Sequence, residues 1–425
     1  MSRSALIPLA LALTLAGTAA RAEGVTVAIA CGSVGAEQAQ CQEGAKAWEA
    51  KTGNTVKVVA APQSTSDQLA LYQQILNAKS GDIDVFQIDV VWPGILGSHF
   101  VDLKQYVDQA TIDQHFPGII QGLSRDGQLL ALPWFTDAGL LYYRQDLLDK
   151  YGLKPPQTWA ELTDAAKTIQ EGERKAGNDR FYGFVFQGRA YEGLSCNALE
   201  WIASSGGGTI VGTDGKITVN NPEAAKALDL AASWVGTIAP EGVLNYMEED
   251  ARGVFQSGNA AFMRNWPYAY ALLNSGDSKV KGVVGAAALP KGEGEGARSA
   301  ATLGGWNLAV SKYSAHPKEA ADLAAFLTSR DEQKRRAIVG AFQSTIPALY
   351  DDPEVLKAQP FFALLKAAFE GAVARPSAIT GERYNEVSTQ FWNAVHNTLS
   401  KQGDAATNLA QLQKDLNRLS RGGRW

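Results

Sequence analysis

Two carboxylates stand where a charge is costly. Asp137 interrupts the apolar run Leu132-Pro-Trp-Phe-Thr-Asp-Ala-Gly-Leu-Leu-Tyr-Tyr143, and Asp89 follows the predicted strand Ile83–Ile88. A buried carboxylate without a partner is expensive, so each must be bound by something. Aromatic rings flank both: Trp92 beside Asp89, and Trp134 and Phe135 beside Asp137. Trp266 with Tyr268, and Trp306 behind Gly304-Gly305, add two more aromatic clusters. Sugars present hydroxyl edges and apolar C–H faces. Carboxylates accept from hydroxyls in charge-assisted hydrogen bonds, and flat rings cover the faces. The plain alternative is that the rings fill a core and the Asp residues cap helices. Four such clusters in one chain favour the binding reading.

Other chemistries find little support. The four histidines, His99, His115, His316 and His396, share no metal-ligand spacing, and no C-x-x-C occurs. No G-x-S-x-G elbow, Walker loop or G-x-G-x-x-G is present. Gly206-Gly207-Gly208 reads as a turn and not a phosphate cradle. Neither a metal nor a cofactor is expected. The one enzymatic alternative is a secreted glycoside hydrolase that uses Asp89 and Asp137 as paired carboxylates.

The elements that must position these residues alternate. Val25–Ala30, Thr55–Ala60 and Ile83–Ile88 read as strands, with helices over Gln42–Lys51 and Ser66–Asn77. Three βα units predict an α/β fold with a mostly parallel sheet covered on both faces. Ligands of such sheets bind beyond the carboxyl ends of strands, where Asp89 falls. Pro133–Ala138 reads as a crossing between two lobes. Leu140–Tyr143 is then the first strand of the second lobe, and Gln145–Tyr151 its first helix, stopped by Gly152 and Pro155-Pro156. Thr158-x-x-Glu161 is a capping box that opens the next helix. Asn221-Pro222-Glu223 opens another, ending near Trp234. Gly304–Val310 is a late strand, and Leu409, Leu412, Leu416 and Leu419 give the last helix one apolar face.

The chain has 425 residues and a net charge of −5, which gives no support for nucleic-acid or anionic-membrane partners. Its length predicts two domains or one large one. Residues 1–22 combine Arg3, an apolar run Ala5–Ala16 and an Ala20-Arg21-Ala22 cleavage site, the pattern of a secretory signal peptide. In an exported chain a Cys31–Cys41 disulfide would staple a short loop, worth about 2–3 kcal/mol, with Cys196 buried and free. Three buried thiols are the alternative.

Several segments together resemble the extracellular solute-binding proteins of ABC sugar importers, with the trehalose/maltose-binding branch the nearest. They are Asp84-Val-Phe-Gln-Ile-Asp89, Leu132–Arg144, Tyr191-Glu-Gly-Leu-Ser-Cys196, Gly258–Tyr268 and Ala301-Thr-Leu-Gly-Gly-Trp306. The resemblance covers essentially all of the chain after residue 22. It implies a two-lobed periplasmic-binding-protein fold with several hinge crossings and a ligand cleft between the lobes. Lobe I would comprise 23–136 and 305–349, and lobe II 137–304 and 350–425. It further implies that Asp89 and Asp137 accept from glucose hydroxyls and that Trp266 and Tyr268 stack on a ring. Gly304, Gly305 and Trp306 would line the cleft, Arg375 would donate from the second lobe, and Glu37, in the stapled loop, would be a further acceptor. Phe135 and Pro62 depart from the family's pattern, where Tyr and Arg can stand. The implied function is capture of an α-glucosyl disaccharide (trehalose, maltose or sucrose) by a monomeric periplasmic or extracellular protein that delivers it to membrane permease subunits. A sugar-sensing partner of a membrane receptor would use the same cleft.

Overall fold

The computed structural model describes residues 24–362, 368–369 and 371–425; the expected signal peptide, 1–22, lies outside the described residues. The strands in chain order are β1 (Thr26–Cys31), β2 (Thr55–Ala60), β3 (Val85–Asp89), the short β4 (Ser124–Arg125) and β5 (Gln128–Leu129), and β6 (Leu132–Ala138). Then come β7 (Leu140–Arg144), β8 (Tyr182–Val185), β9 (Ala260–Asn265), β10 (Val284–Ala288) and β11 (Leu303–Val310). Two sheets with helices around them make two α/β lobes, one ordered β2-β1-β3-β11-β6 and the other β10-β7-β9-β8. The fold is that of the periplasmic binding proteins.

The expectation of a mostly parallel sheet needs correction. β1 is parallel to β2 and β3, but β11 is antiparallel to both β3 and β6. The cause is the chain path. β6 leaves for the second lobe at Ala138, and β11 returns from it in the opposite direction, with Asp137 opposite Gly304 in the ladder. Only Gly139 separates β6 in the first sheet from β7 in the second.

Local signals set most element ends. The Trp159–Lys175 helix carries the expected capping box, with the Thr158 side chain on the Glu161 N–H and the Glu161 carboxylate returning to the Thr158 N–H. Asn221 caps the Pro222–Trp234 helix by accepting from the Ala224 N–H. Gly53 and Gly152 end their helices in the left-handed region, where a Cβ is disfavoured. The first helix departs from expectation. It runs Glu37–Thr52, so Glu37 is its first residue and not part of a loop, and Cys41 lies inside it. Its preceding residue, Ala36, offers no capping side chain, which leaves no start signal to read. Cys31 and Cys41 are disulfide-bonded across a 6.5 Å Cα separation, and Cys196 is buried and free. Around Asp214-Gly215 the chain turns back on itself through one antiparallel bridge, Val211 with Ile217.

Each lobe has its own aromatic core. In the first, Tyr72 meets Phe86 edge-on at 4.8 Å and Trp92 at 5.8 Å. In the second, Trp201 and Trp234 pack at 5.9 Å with Phe184 and Phe186 around them. The Ala405–Leu419 helix buries Leu409, Leu412 and Leu416 in the second lobe, and the Trp425 indole donates to the Gly215 carbonyl at 2.8 Å, which ties down the C-terminus.

Candidate functional site

Residues from both lobes line one pocket between the two sheets. Sequence placed nine residues at a site: Glu37, Asp89, Asp137, Trp266, Tyr268, Gly304, Gly305, Trp306 and Arg375. All nine line this one cavity. Phe135 is also in its wall, as are Glu192 and Glu248.

The hinge ribbon supplies one wall. Asp137 on β6 faces Gly304 on β11. A Cβ on Gly304 would lie 3.2 Å from both the Asp137 Cβ and the Trp266 ring. Gly305 has φ +131, and a Cβ there would meet the Phe135 carbonyl oxygen at 2.7 Å. Only glycine fits that position. Trp306 stands beyond it, edge-on to Trp92 at 5.6 Å.

The second lobe supplies a platform. β9 ends at Asn265, whose side chain accepts from the Trp266 N–H at 2.8 Å and donates to the Glu248 carbonyl at 3.0 Å. The Trp266 indole N–H donates to the Glu248 carboxylate at 3.2 Å, and the Tyr268 hydroxyl donates to Glu249 at 2.7 Å. Both rings are thus fixed by the first turn of the Glu248–Gln256 helix. Tyr268 reaches across to the first lobe, where a Cβ on Gly35 would come within 2.5 Å of its ring.

Charge is arranged in two groups. Arg375 forms a bidentate pair with Asp89, at 2.7 and 3.2 Å, and holds Glu192 at 2.8 Å. Tyr384 and Ser388 donate to the same Glu192 carboxylate. Arg375 therefore bonds a carboxylate from each lobe. Glu37 and Asp137 form the other group. Gln87 donates to Glu37 at 2.9 Å, yet burial pushes the Glu37 carboxyl up to about 7. Asp137 is only 7% exposed, and among the described residues no donor reaches its carboxylate. Burial, then the charge of Glu37, holds its pKa well above the usual carboxylate range. Arg264 and, more weakly, Arg336 offset this in part; the Arg336 guanidinium has no hydrogen-bond partner among the described residues, stacks 3.8 Å from the Trp134 ring and is brought by burial down to about 9. A carboxyl without a donor among the described residues, set near the Trp266 and Tyr268 rings in one pocket, suits a ligand rich in hydroxyls with flat C–H faces.

Several cavity or support residues escaped the sequence reading. Glu248 opens a helix with Glu249 and Asp250, an acidic first turn that was not read as one. Glu192 lies in the Tyr191–Cys196 segment, whose resemblance implies no role for it. Arg264 is a lone cation in the apolar strand Ala260–Asn265, and Glu200 interrupts the apolar run Ala198–Ala203 of a helix whose every residue is buried. The signal that singled out Asp137, one charge inside an apolar run, would have found both.

Residues 32–334 match the family model described as bacterial extracellular solute-binding protein. A probable ABC transporter-binding protein of Deinococcus radiodurans is 53% identical over 411 residues, covering 96% of this chain and 97% of the relative. Among solved structures, maltose-bound MalE3 of T. maritima superposes with a TM-score of 0.88 at 39% identity, covering 93% of this chain and 100% of that one. A solute-binding protein of Agrobacterium radiobacter in complex with ribitol gives 0.82 at 26% identity, covering 93% and 99%. The hydrolase alternative needed Asp89 and Asp137 as a free catalytic pair, whereas Arg375 occupies Asp89. With a cavity between two hinged lobes and a family match over most of its length, this chain belongs to the bacterial extracellular solute-binding proteins and is a binding protein, not an enzyme.

Proposed function

We propose that this protein binds an α-glucosyl disaccharide, with trehalose and maltose the foremost candidates and sucrose next, between its lobes and delivers it to the permease subunits of an ABC transporter. The observation that carries this reading is the convergence of Glu37, Asp89, Asp137, Trp266, Tyr268, Gly304, Gly305, Trp306 and Arg375 on one cavity. The 39% identity to a maltose-bound structure supports the disaccharide, and the Deinococcus relative supports the transporter. In this reading Glu37 and Asp137 accept from hydroxyls of the inner ring, Trp266 stacks on a ring face, and Arg375 holds Asp89 and Glu192 against the ligand's other edge. The protein is secreted to the periplasm or cell exterior through the 1–22 signal peptide and works as a monomer. The hinge divides the chain into 23–136 with 305–349 and 137–304 with 350–425. Ligand contacts from both lobes favour the closed state, and the size of the shift equals the ligand's differential affinity for closed over open. The permease reads the closed form.

Titration calorimetry with trehalose, maltose, sucrose and glucose tests the sugar class, with ribitol and mannitol as linear polyol comparators. Heat with one of the disaccharides, and recovery of the sugar intact, is the expected result. Absence of heat and of any thermal shift with all three disaccharides would end this reading.

A further inference from the structure

Behind the cavity, out of reach of any ligand, lies a completely buried ion pair. Arg264 Nε donates to Glu200 Oε2 at 2.8 Å and Nη2 to Oε1 at 2.5 Å, and neither side chain has measurable exposure. Against hydrophobic residues of the same shape such a pair is a poor stabiliser. Its contacts suggest another role.

The Arg264 guanidinium lies over the Trp266 ring, 3.9 Å from its centroid, while the indole N–H donates to Glu248. Glu200 Oε1 also accepts from the Thr302 N–H at 3.1 Å, the residue from which β11 starts. The Thr302 hydroxyl donates to the Cys196 carbonyl one helical turn earlier at 2.8 Å, so that strand start is fastened twice to the Glu192–Ser204 helix. The other crossing, Gly139, runs so close to the pair that a Cβ would overlap Glu200 and lie 2.7 Å from Arg264. One buried carboxylate thus references the ring platform through Arg264, the Gly304-Gly305 wall through Thr302, and the β6–β7 crossing by contact. Gln187 completes the arrangement, accepting from Arg264 Nη1 at 3.1 Å and donating to the Arg264 carbonyl at 3.1 Å.

We infer that Glu200 and Arg264 are positioning residues that set the distance between the Trp266 platform and the Gly304-Gly305 wall, so that ligand affinity depends on them although neither lines the cavity. The inference rests on the sugar reading for its affinity readout and on Trp266 alone for its spectroscopic one. Arg is suited to this task where Lys is not, because a planar fork can stack on an indole and hold a carboxylate at once.

The test is E200Q/R264M, which removes both charges at nearly constant volume, made in the wild type and in W266F. Two quantities are read: disaccharide Kd by calorimetry, and the emission difference between each protein and its W266F counterpart, which isolates Trp266. The expected result is affinity weakened about tenfold in the wild-type background but less than about twofold in W266F, the mark of coupled residues. The Trp266 emission should shift with it. If the double variant does not fold, R264K, which keeps the charge and loses the stack, enters the same cycle with the same expectation. An unchanged Trp266 emission, or an affinity loss of equal size in both backgrounds, overturns the inference. If the wild type binds no disaccharide, the sugar reading fails, and the Trp266 emission difference in E200Q alone, which leaves the Arg264 side chain on the ring, still decides whether the pair positions it.

Discussion

Asp137 offers the sharpest test, because binding and stability should move in opposite directions when it is removed. In the ligand-free protein its carboxylate is buried, accepts from no donor among the described residues and faces the charge of Glu37. A buried polar group in that condition destabilises the fold. Asp137→Ala should therefore leave the melting temperature of the free protein unchanged or raise it. Binding should suffer. A carboxylate has two oxygens, and adjacent pyranose hydroxyls can donate one bond to each. Hydrogen bonds are worth about 0.5–1.5 kcal/mol apiece to a neutral acceptor and more to a charged one. Losing two removes at least about 1 kcal/mol, more than about fivefold in Kd. Asp137→Asn keeps the shape and loses the charge, and should fall between. Calorimetry against whichever disaccharide the wild type prefers, with a thermal melt of each free protein, reads both quantities. An affinity within twofold of wild type, or a free protein that melts several degrees lower, would mean that Asp137 is structural, and the reasoning would be wrong.

Other consequences can be checked with less work. Burial raises Glu37 from 4.5 to about 7, so the folded protein holds a proton there that the unfolded chain has released. Stability from this group is therefore lost as pH rises from about 4.5 to 7, by about 3 kcal/mol at 1.36 kcal/mol per pH unit. Urea melts of the ligand-free protein at pH 5 and 7.5 should show that extra loss in wild type and not in Glu37→Gln, and parallel slopes would count against it. Replacing Cys31 and Cys41 by Ser opens a loop of 10 residues' separation and should lower stability by about 2–3 kcal/mol on the chain-entropy model. The same loss should appear in wild type treated with reductant. Gly305→Ala places a Cβ 2.7 Å from the Phe135 carbonyl at φ +131. It should destabilise by more than about 1 kcal/mol and weaken binding, whereas a melting temperature equal to wild type would show that the ribbon can give.

Much of the fold was legible because its signals are local. Capping at Thr158 and Asn221, glycine stops at Gly53 and Gly152, and the apolar run of β1 need only neighbouring residues to act. The sheet's mixed direction was not legible in that way, since the sense of β11 depends on a return from the other lobe more than 160 residues later in the chain. The start of the first helix was missed for want of a capping side chain at Ala36.

The sequence by itself determined which residues could meet a hydroxyl-rich ligand: a carboxylate in an apolar strand declares itself through its desolvation cost, and a ring beside it through the face it offers. Whether those residues meet is a matter of long-range packing. Only the tertiary structure put Glu37, Asp89, Asp137 and Trp266 around one cavity, because their separations along the chain carry no distance information across a hinge. It also decided their states. Asp89 is matched by Arg375, from 286 residues away, while Asp137 has no donor among the described residues. That difference depends on which buried charges come within reach of each other, and no local pattern encodes it.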